Sequence, residues 1–471
     1  MNDKTAKVIK GKSCFFSDIR ASISEDKEKA VPHADKADSG EDSFSDTPSE
    51  NAAQAAETEA EKAEDKALTD NQVTAHTSSL WKYNPIPEKP VPFPEYRCSS
   101  GQEEETGISV IAARVRGKMH KHDGSNCDDW YEYDFGGGMA FAAVSDGAGS
   151  KLYSRIGSKT ACITAVQTMK EQFTEYFANN PMALSSAAKP FTDPSFTKVC
   201  TALAGLIQNS AISAAKAVVS VFEDMKNDKE LTEAAGRELT LSDFACTLLI
   251  TAVIPVIAEE SGRRESLILS VQIGDGMTAS VNSEAAAPSA ISLLGEPDSG
   301  EFSGETDFIT SASMQTAEAV MKRTRIQRKV CTDILMMTDG VADDYFPNSP
   351  QLLRLYLDLK ANGILPVNEV CITEENRPYI SRIPRPEKYR WVNDSDVFYE
   401  FQYISAVCEA TGLSLEQLWS MPDVVSASSL KSFGIENSGD TPHEQLQIWL
   451  DNYVKRGSFD DRTLLIIRTD G

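Results

Sequence analysis

The chain of 471 residues predicts an α+β protein built from two sheets with helices on their outer sides. Three observations support this. Apolar runs of strand length recur and end on Asp-Gly pairs. Two long stretches, 155–177 and 195–225, repeat apolar residues at helical spacing and are long enough to pair. Strand patterns occupy both ends of the folded region, with those helices between them.

The chain starts with a stretch that does not fit a packed core. Residues 22–79 are rich in Ala, Glu, Asp, Ser and Lys, with 14 acidic against 5 basic side chains between positions 25 and 66. Such a composition buries too little apolar surface to offset its ordering entropy, so a disordered acidic tail is expected. Within it, the Ala and Glu of 52–68 favour a short helix, and 8–23, with Phe15, Phe16 and Ile19, offers a tethered partner-binding motif. Prolines 85, 87, 90, 92 and 94 make an extended linker, giving a tail and linker over 1–95 and a folded domain over 96–471.

Within the domain, 108–115 reads as a strand and is followed by a loop with Gly117, His120, Gly124 and the pair Asp128-Asp129. A strand ending at Asp146 comes next, then the two long helices. Runs at 244–258, 267–273 and 277–281 are β-rich, and Gly274-Asp275-Gly276 between the last two predicts a hairpin turn. Residues 308–310 and 333–338 are further strand candidates. After Asp339, helical patterns cover 350–360, 397–411, 414–419 and 442–455, and a strand at 463–468 closes the chain.

The net charge of −25 argues against nucleic acid or an anionic membrane as the main partner, because either needs a basic face. The compact basic run 322–329 predicts a solvated face of a connecting segment, with substrate docking as the competing reading. Nine cysteines are scattered singly with no C-x-x-C pair, the usage of a reducing compartment. The apolar segment 245–258 is too short to span a bilayer and contains Pro255. Lysines at 4, 7, 10 and 12 are followed by no apolar core, so a secretory signal is not expected and the expectation is a cytoplasmic protein.

The chemistry concentrates where strands end. Residues 139–150, M-A-F-A-A-V-S-D-G-A-G-S, run apolar into Asp146; 267–276 runs into Asp275, and 334–340 into Asp339. The pair Asp460-Asp461 precedes the last apolar run. Carboxylates gathered at strand ends repel one another unless cations hold them, which predicts a divalent-metal centre with oxygen ligands.

The motifs resemble, in order, those of the metal-dependent protein phosphatases of type 2C, the PPM family. They are G-x-x-H-x-x-x-G and C-D-D over 117–129, V-S-D-G-A-G-S at 144–150, F-A-C-T at 244–247, I-G-D-G at 273–276, T-D-G-V-A-D at 338–343 and D-D-R-T at 460–463. The segment 300–310, G-E-F-S-G-E-T-D-F-I-T, resembles a bacterial branch of the family. The resemblance implies a central antiparallel β-sandwich flanked by helix pairs, and a serine/threonine phosphoprotein phosphatase using two Mn²⁺ or Mg²⁺ ions, with a third in some members. Hydroxide bridging the two ions would attack phosphorus in line. Asp146 would bridge the ions, with the Gly147 carbonyl as a further ligand. Asp339 and Asp461 would complete the centre, Asp128 would fill the usual Glu or Gln position, Asp129 would bond a metal-bound water, and Asp275 and Asp343 would hold the third ion. A phosphoprotein substrate and a cognate kinase system follow as partners.

Departures from the family pattern shape further expectations. Ala148 stands where many members carry the histidine that protonates the leaving alcohol, which leaves His120 and His122 as candidates for that role. The family's phosphate-binding arginine has no counterpart at Gly124, so Arg114 and Arg116 become the substrate-binding candidates. The interval from Asp339 to Asp461 exceeds the family norm and predicts a helical insertion within 345–457, which, like the acidic tail, would suit a protein partner. Competing functions are an inactive binding module on the same fold and a phosphohydrolase of small molecules.

Overall fold

The computed structural model describes residues 81–296, 307–311, 314, 316–386, 388–390, 397–399, 403–435, 439–453, 455 and 459–469, with backbone alone for 388–390 and 397–399. The acidic tail, its 52–68 helix, the Phe15-Phe16-Ile19 motif and residues 300–306 of the 300–310 segment lie outside the described residues.

Two antiparallel sheets form the centre. The six-stranded sheet has the order β1 (Tyr96–Gln102), β2 (Ser109–Val115), β13 (Arg462–Arg468), β10 (Asp333–Met337), β7 (Met277–Val281), β8 (Ile291–Leu293). The five-stranded sheet runs β3 (Trp130–Gly136), β4 (Met139–Ser145), β5 (Leu248–Ile257), β6 (Arg264–Ile273), β9 (Thr324–Lys329). A separate hairpin joins β11 (Lys388–Arg390) to β12 (Val397–Tyr399).

The inner strands, such as β4, β5, β10 and β13, read as near-continuous apolar runs because both faces of each sheet are covered there. Alternation sends Ala140, Ala142 and Val144 of β4, and Leu465 and Ile467 of β13, into the layer between the sheets. Met139, Phe141 and Ala143 face the opposite way, onto helices α2 (Ser154–Asn179) and α3 (Pro194–Met225). Leu464 and Ile466 likewise face outward, against α4 (Asn348–Ala361) and the later helix Pro442–Asn452. Among the described residues, α3 is the one helix long and apolar enough to cross a membrane, and its apolar positions Val199, Leu203, Ile207 and Val218 join the core under the five-stranded sheet.

Several expectations need correction. The 117–124 stretch holds a short helix, α1 (Lys118–Asp123), rather than a loop. Gly274-Asp275-Gly276 makes no hairpin: β6 and β7 belong to different sheets, and the tripeptide carries the chain across the sandwich with Gly274 at φ 112°. Residues 308–310 form no strand. The 397–411 pattern divides into β12 and a helix, Tyr403–Thr411. The basic run 322–329 is largely the edge strand β9, where Arg328 turns inward onto Glu265 and the Ala187 carbonyl. Strands β1, β3 and β8 are further elements beyond those the sequence pattern predicts. The interval after Asp339 is mainly helical and builds a small core of its own around Leu357, Tyr403, Ile404, Val407, Leu418 and Val424.

A candidate metal centre at the sandwich rim

The strand registers bring the acidic strand ends to one rim. In the six-stranded sheet, Met337 at the end of β10 pairs with Leu464 near the start of β13 and with Met277 at the start of β7. In the five-stranded sheet, Val144 near the end of β4 pairs with Leu249, Leu248 with Ile273, and Ser145 with Trp130. Antiparallel pairing therefore places Asp146, Asp275, Asp339, Asp129 and the Asp460-Asp461 pair at the same edge, although more than 300 residues separate the first from the last in sequence.

Side-chain oxygens of Asp146, Asp275 and Asp339 lie within 4.8 Å of one another. Burial, and then the Asp339 charge, hold the Asp146 carboxyl well above the usual range, with Asp129 and Asp460 adding to the effect. Asp339 is raised for the same reasons, by burial first and then by Asp275, Asp460, Asp129 and Asp343. Asp343 is itself raised by burial and by Asp275, and sits at the exposed margin. Converging carboxylates with the pKa values of Asp146 and Asp339 raised by burial and neighbouring charge are the donor set of a hard divalent cation, so these residues fit the metal that the sequence implies.

Asp461 has a different part from the one expected. Its Oδ1 accepts the Gly117 N–H at 2.6 Å and lies 2.9 Å from His120 Nδ1, while Oδ2 accepts the Asp128 N–H at 2.6 Å. Its oxygens are committed to the protein and the residue is 1% exposed. Asp460, by contrast, is partly exposed and is among the charges that raise both Asp146 and Asp339. The rim carboxylate contributed by this pair is therefore Asp460, which the sequence reading passed over. Alternation along the chain makes one residue of an Asp-Asp pair face the rim and the other the interior, but the sequence does not say which.

The remaining candidates also find definite places. Asp129 Oδ2 accepts the hydroxyls of Thr338 at 2.8 Å and Thr463 at 2.6 Å, which fixes it beside Asp146; burial and the Asp461 charge raise its pKa. Asp128 is pushed up to about 7 by burial and then by Asp461. Burial alone would lower the His120 pKa, but the Asp461 carboxylate more than offsets it and the net value is about 10, so the ring is an imidazolium. Its Nε2 lies 3.6 Å from where a Cβ on Gly149 would sit, so it faces the loop after Asp146. Nδ1 of His122 accepts the Lys82 N–H at 3.1 Å and the ring packs edge-on against Trp81, a structural role.

Neither candidate arginine is placed to bind substrate. Arg114 is fully buried and donates to the carbonyls of Asp129 at 2.8 Å and Pro94 at 2.9 Å, with its guanidinium over the Trp130 ring. Arg116 is 1% exposed and donates to the carbonyls of His120 at 2.6 Å and Asn84 at 3.0 Å. Both tie the linker and α1 to the sheet.

The glycines of the Asp-Gly pairs are required by close packing. A Cβ on Gly147 would lie 2.6 Å from the Asp128 carbonyl oxygen, and one on Gly340 would lie 1.9 Å from that of Asp461. With no side chain there, the strand ends approach until their carboxylates meet.

Fold and rim together define a two-layered β-sandwich with a cluster of carboxylates at one edge. The sequence pattern of the family described as Protein phosphatase 2C matches residues 116–361, and the chain belongs to this family of metal-dependent phosphatases. No curated protein sequence matches the chain. Solved structures with a similar fold include the serine/threonine phosphatase Stp1 from Staphylococcus aureus, 10% identical over 82% of this chain and 100% of that one, with a TM-score of 0.31. Others are the PPM Ser-Thr phosphatase MsPP from Mycobacterium smegmatis in complex with cacodylate (13% identical, 76% and 97% covered, TM-score 0.26) and the serine-threonine phosphatase 2C from Toxoplasma gondii (10% identical, 80% and 99% covered, TM-score 0.37).

Proposed function

We propose that the chain is a serine/threonine phosphoprotein phosphatase that works with two Mn²⁺ or Mg²⁺ ions, and a third toward Asp343. The observation that carries this reading is the convergence of Asp146, Asp275 and Asp339 within 4.8 Å. With Asp460 and the Gly147 carbonyl, these residues would hold the ions. When bound, such ions supply the chemistry of phosphomonoester hydrolysis by lowering the pKa of water and neutralising phosphoryl oxygens.

The chain's own contribution is positioning. Thr338 and Thr463 orient Asp129 toward Asp146, and Asp461 locks α1 through Gly117 and His120. His120 holds a proton on Nε2 facing the loop that contains Ala148, which supports it as the group that replaces the missing histidine. The substrate would be a phosphoprotein maintained by an opposing kinase. The cysteines among the described residues are all free thiols, which supports a reducing, cytoplasmic setting.

The test is hydrolysis of para-nitrophenyl phosphate and of a phosphothreonine peptide with Mn²⁺, with Mg²⁺ and with chelator. Turnover should require metal and fall by at least about a hundredfold in Asp146→Asn and Asp339→Asn. Undiminished turnover in either variant, or in chelator, would overturn the assignment.

A further inference from the structure

The acidic rim is bordered by exposed apolar side chains, one on α1 and one on each of three loops. Met119, 40% exposed, directly precedes His120, and Phe459, 37% exposed, directly precedes Asp460. Leu152, 43% exposed, ends the loop that begins at Asp146, and Phe346, 71% exposed, follows Asp343 by three residues.

Three of these segments are neighbours. The Met119 N–H donates to the Phe459 carbonyl at 3.0 Å, and the Phe459 ring packs 5.1 Å from that of Trp81, which supports it from behind. His120 faces Gly149, so the loop leading to Leu152 lies against α1. Phe346 meets the rim through Asp343: its N–H donates to the Asp343 carbonyl at 3.4 Å, and the Asp343 charge reaches Asp275 and Asp339.

Isolated exposed apolar residues are ordinary, but a border of them around a polar cluster is the layout of a surface that another chain covers. A small phosphorylated metabolite would engage the ions held by the carboxylates and leave the border in water. A polypeptide carrying a phosphate would cover it. The net charge of −25 favours cations on the incoming segment.

Resting on the phosphatase reading above, we propose that the rim accepts a phosphorylated polypeptide segment with an apolar side chain next to the phosphorylated residue and lysine or arginine further out. Two phosphothreonine peptides of equal charge test this, one with Phe and Leu flanking the phosphothreonine and one with Ser and Gly, both with distal arginines. With the full chain and Mn²⁺, kcat/KM should favour the apolar peptide about tenfold or more, the effect of burying one or two such side chains. Phe346→Ser and Leu152→Ser should erase most of that preference and leave para-nitrophenyl phosphate turnover unchanged.

Fluorescence anisotropy of the same labelled peptides reads the preference without turnover. Absence of hydrolysis with a retained tenfold binding preference would sink the phosphatase reading alone. Equal kcat/KM and equal binding for the two peptides, or a preference untouched by both variants, would overturn the proposal.

Discussion

Asp460 and Asp461 are adjacent in sequence and opposite in role, and the difference can be measured. Replacing Asp461 by Ala strands the Gly117 and Asp128 N–H groups and leaves the buried His120 imidazolium without its counter-charge. The expected loss is about 3 kcal/mol of unfolding free energy, seen in urea titration, with the His120 pKa falling below its present value of about 10 in an NMR titration. Asp460→Asn should leave stability unchanged or slightly higher, because it relieves repulsion with Asp461, and should remove metal-dependent turnover. If Asp461→Ala keeps full stability while Asp460→Asn keeps full activity, the two roles have been exchanged. The sequence showed an acidic pair before the last strand; its phase is set by which face β13 turns to the core, a tertiary fact absent from the local pattern. The arginines teach the same lesson, since Arg114 and Arg116 alternate with apolar residues in a way that gives no warning of complete burial.

At the scale of elements, the strands that were legible are those buried on both faces, such as β5, β10 and β13, whose apolar runs leave little ambiguity. Those missed include the sheet-edge strands β1, β3, β8 and β9, where polar and charged residues face solvent or pair across strands. Gly340 tests the close approach of two such elements: Gly340→Ala would drive its Cβ into the Asp461 carbonyl, and the expected cost is at least about 2 kcal/mol with weakened metal binding. Helix α4 carries a second test in Asp358, which burial pushes to about 7 while Arg354 and the Tyr345 hydroxyl hold it down. A carboxyl raised in the folded state gives stability that is present below its unfolded pKa and lost as pH rises through the folded value. Between pH 4 and 7 the wild type should therefore lose about 3 kcal/mol more stability than Asp358→Asn, measured by urea unfolding at each pH. Parallel pH profiles for the two proteins would show that Asp358 titrates normally.

For the whole molecule, the acidic rim is a site of stored repulsion that cations relieve, and this links stability, pH and metal. Asp146, Asp339 and Asp128 all have raised pKa values, Asp128 to about 7, so part of the cluster holds protons near neutrality in the absence of metal. Divalent ions bind the ionised forms and must displace those protons, so apparent Mn²⁺ affinity should rise with pH from 6 to 8, with proton release visible as a buffer-dependent heat in calorimetry. Because the unfolded chain has no such cluster, Mn²⁺ at a hundred times its dissociation constant should add about 2.7 kcal/mol of stability and raise the melting temperature. Mn²⁺ acting only by screening the net charge of −25 would be matched by NaCl at equal ionic strength and would survive Asp146→Asn. Site binding would be lost in that variant and show no such match. A melting temperature that responds equally to both salts, and equally in wild type and variant, would mean that the rim does not hold the ion.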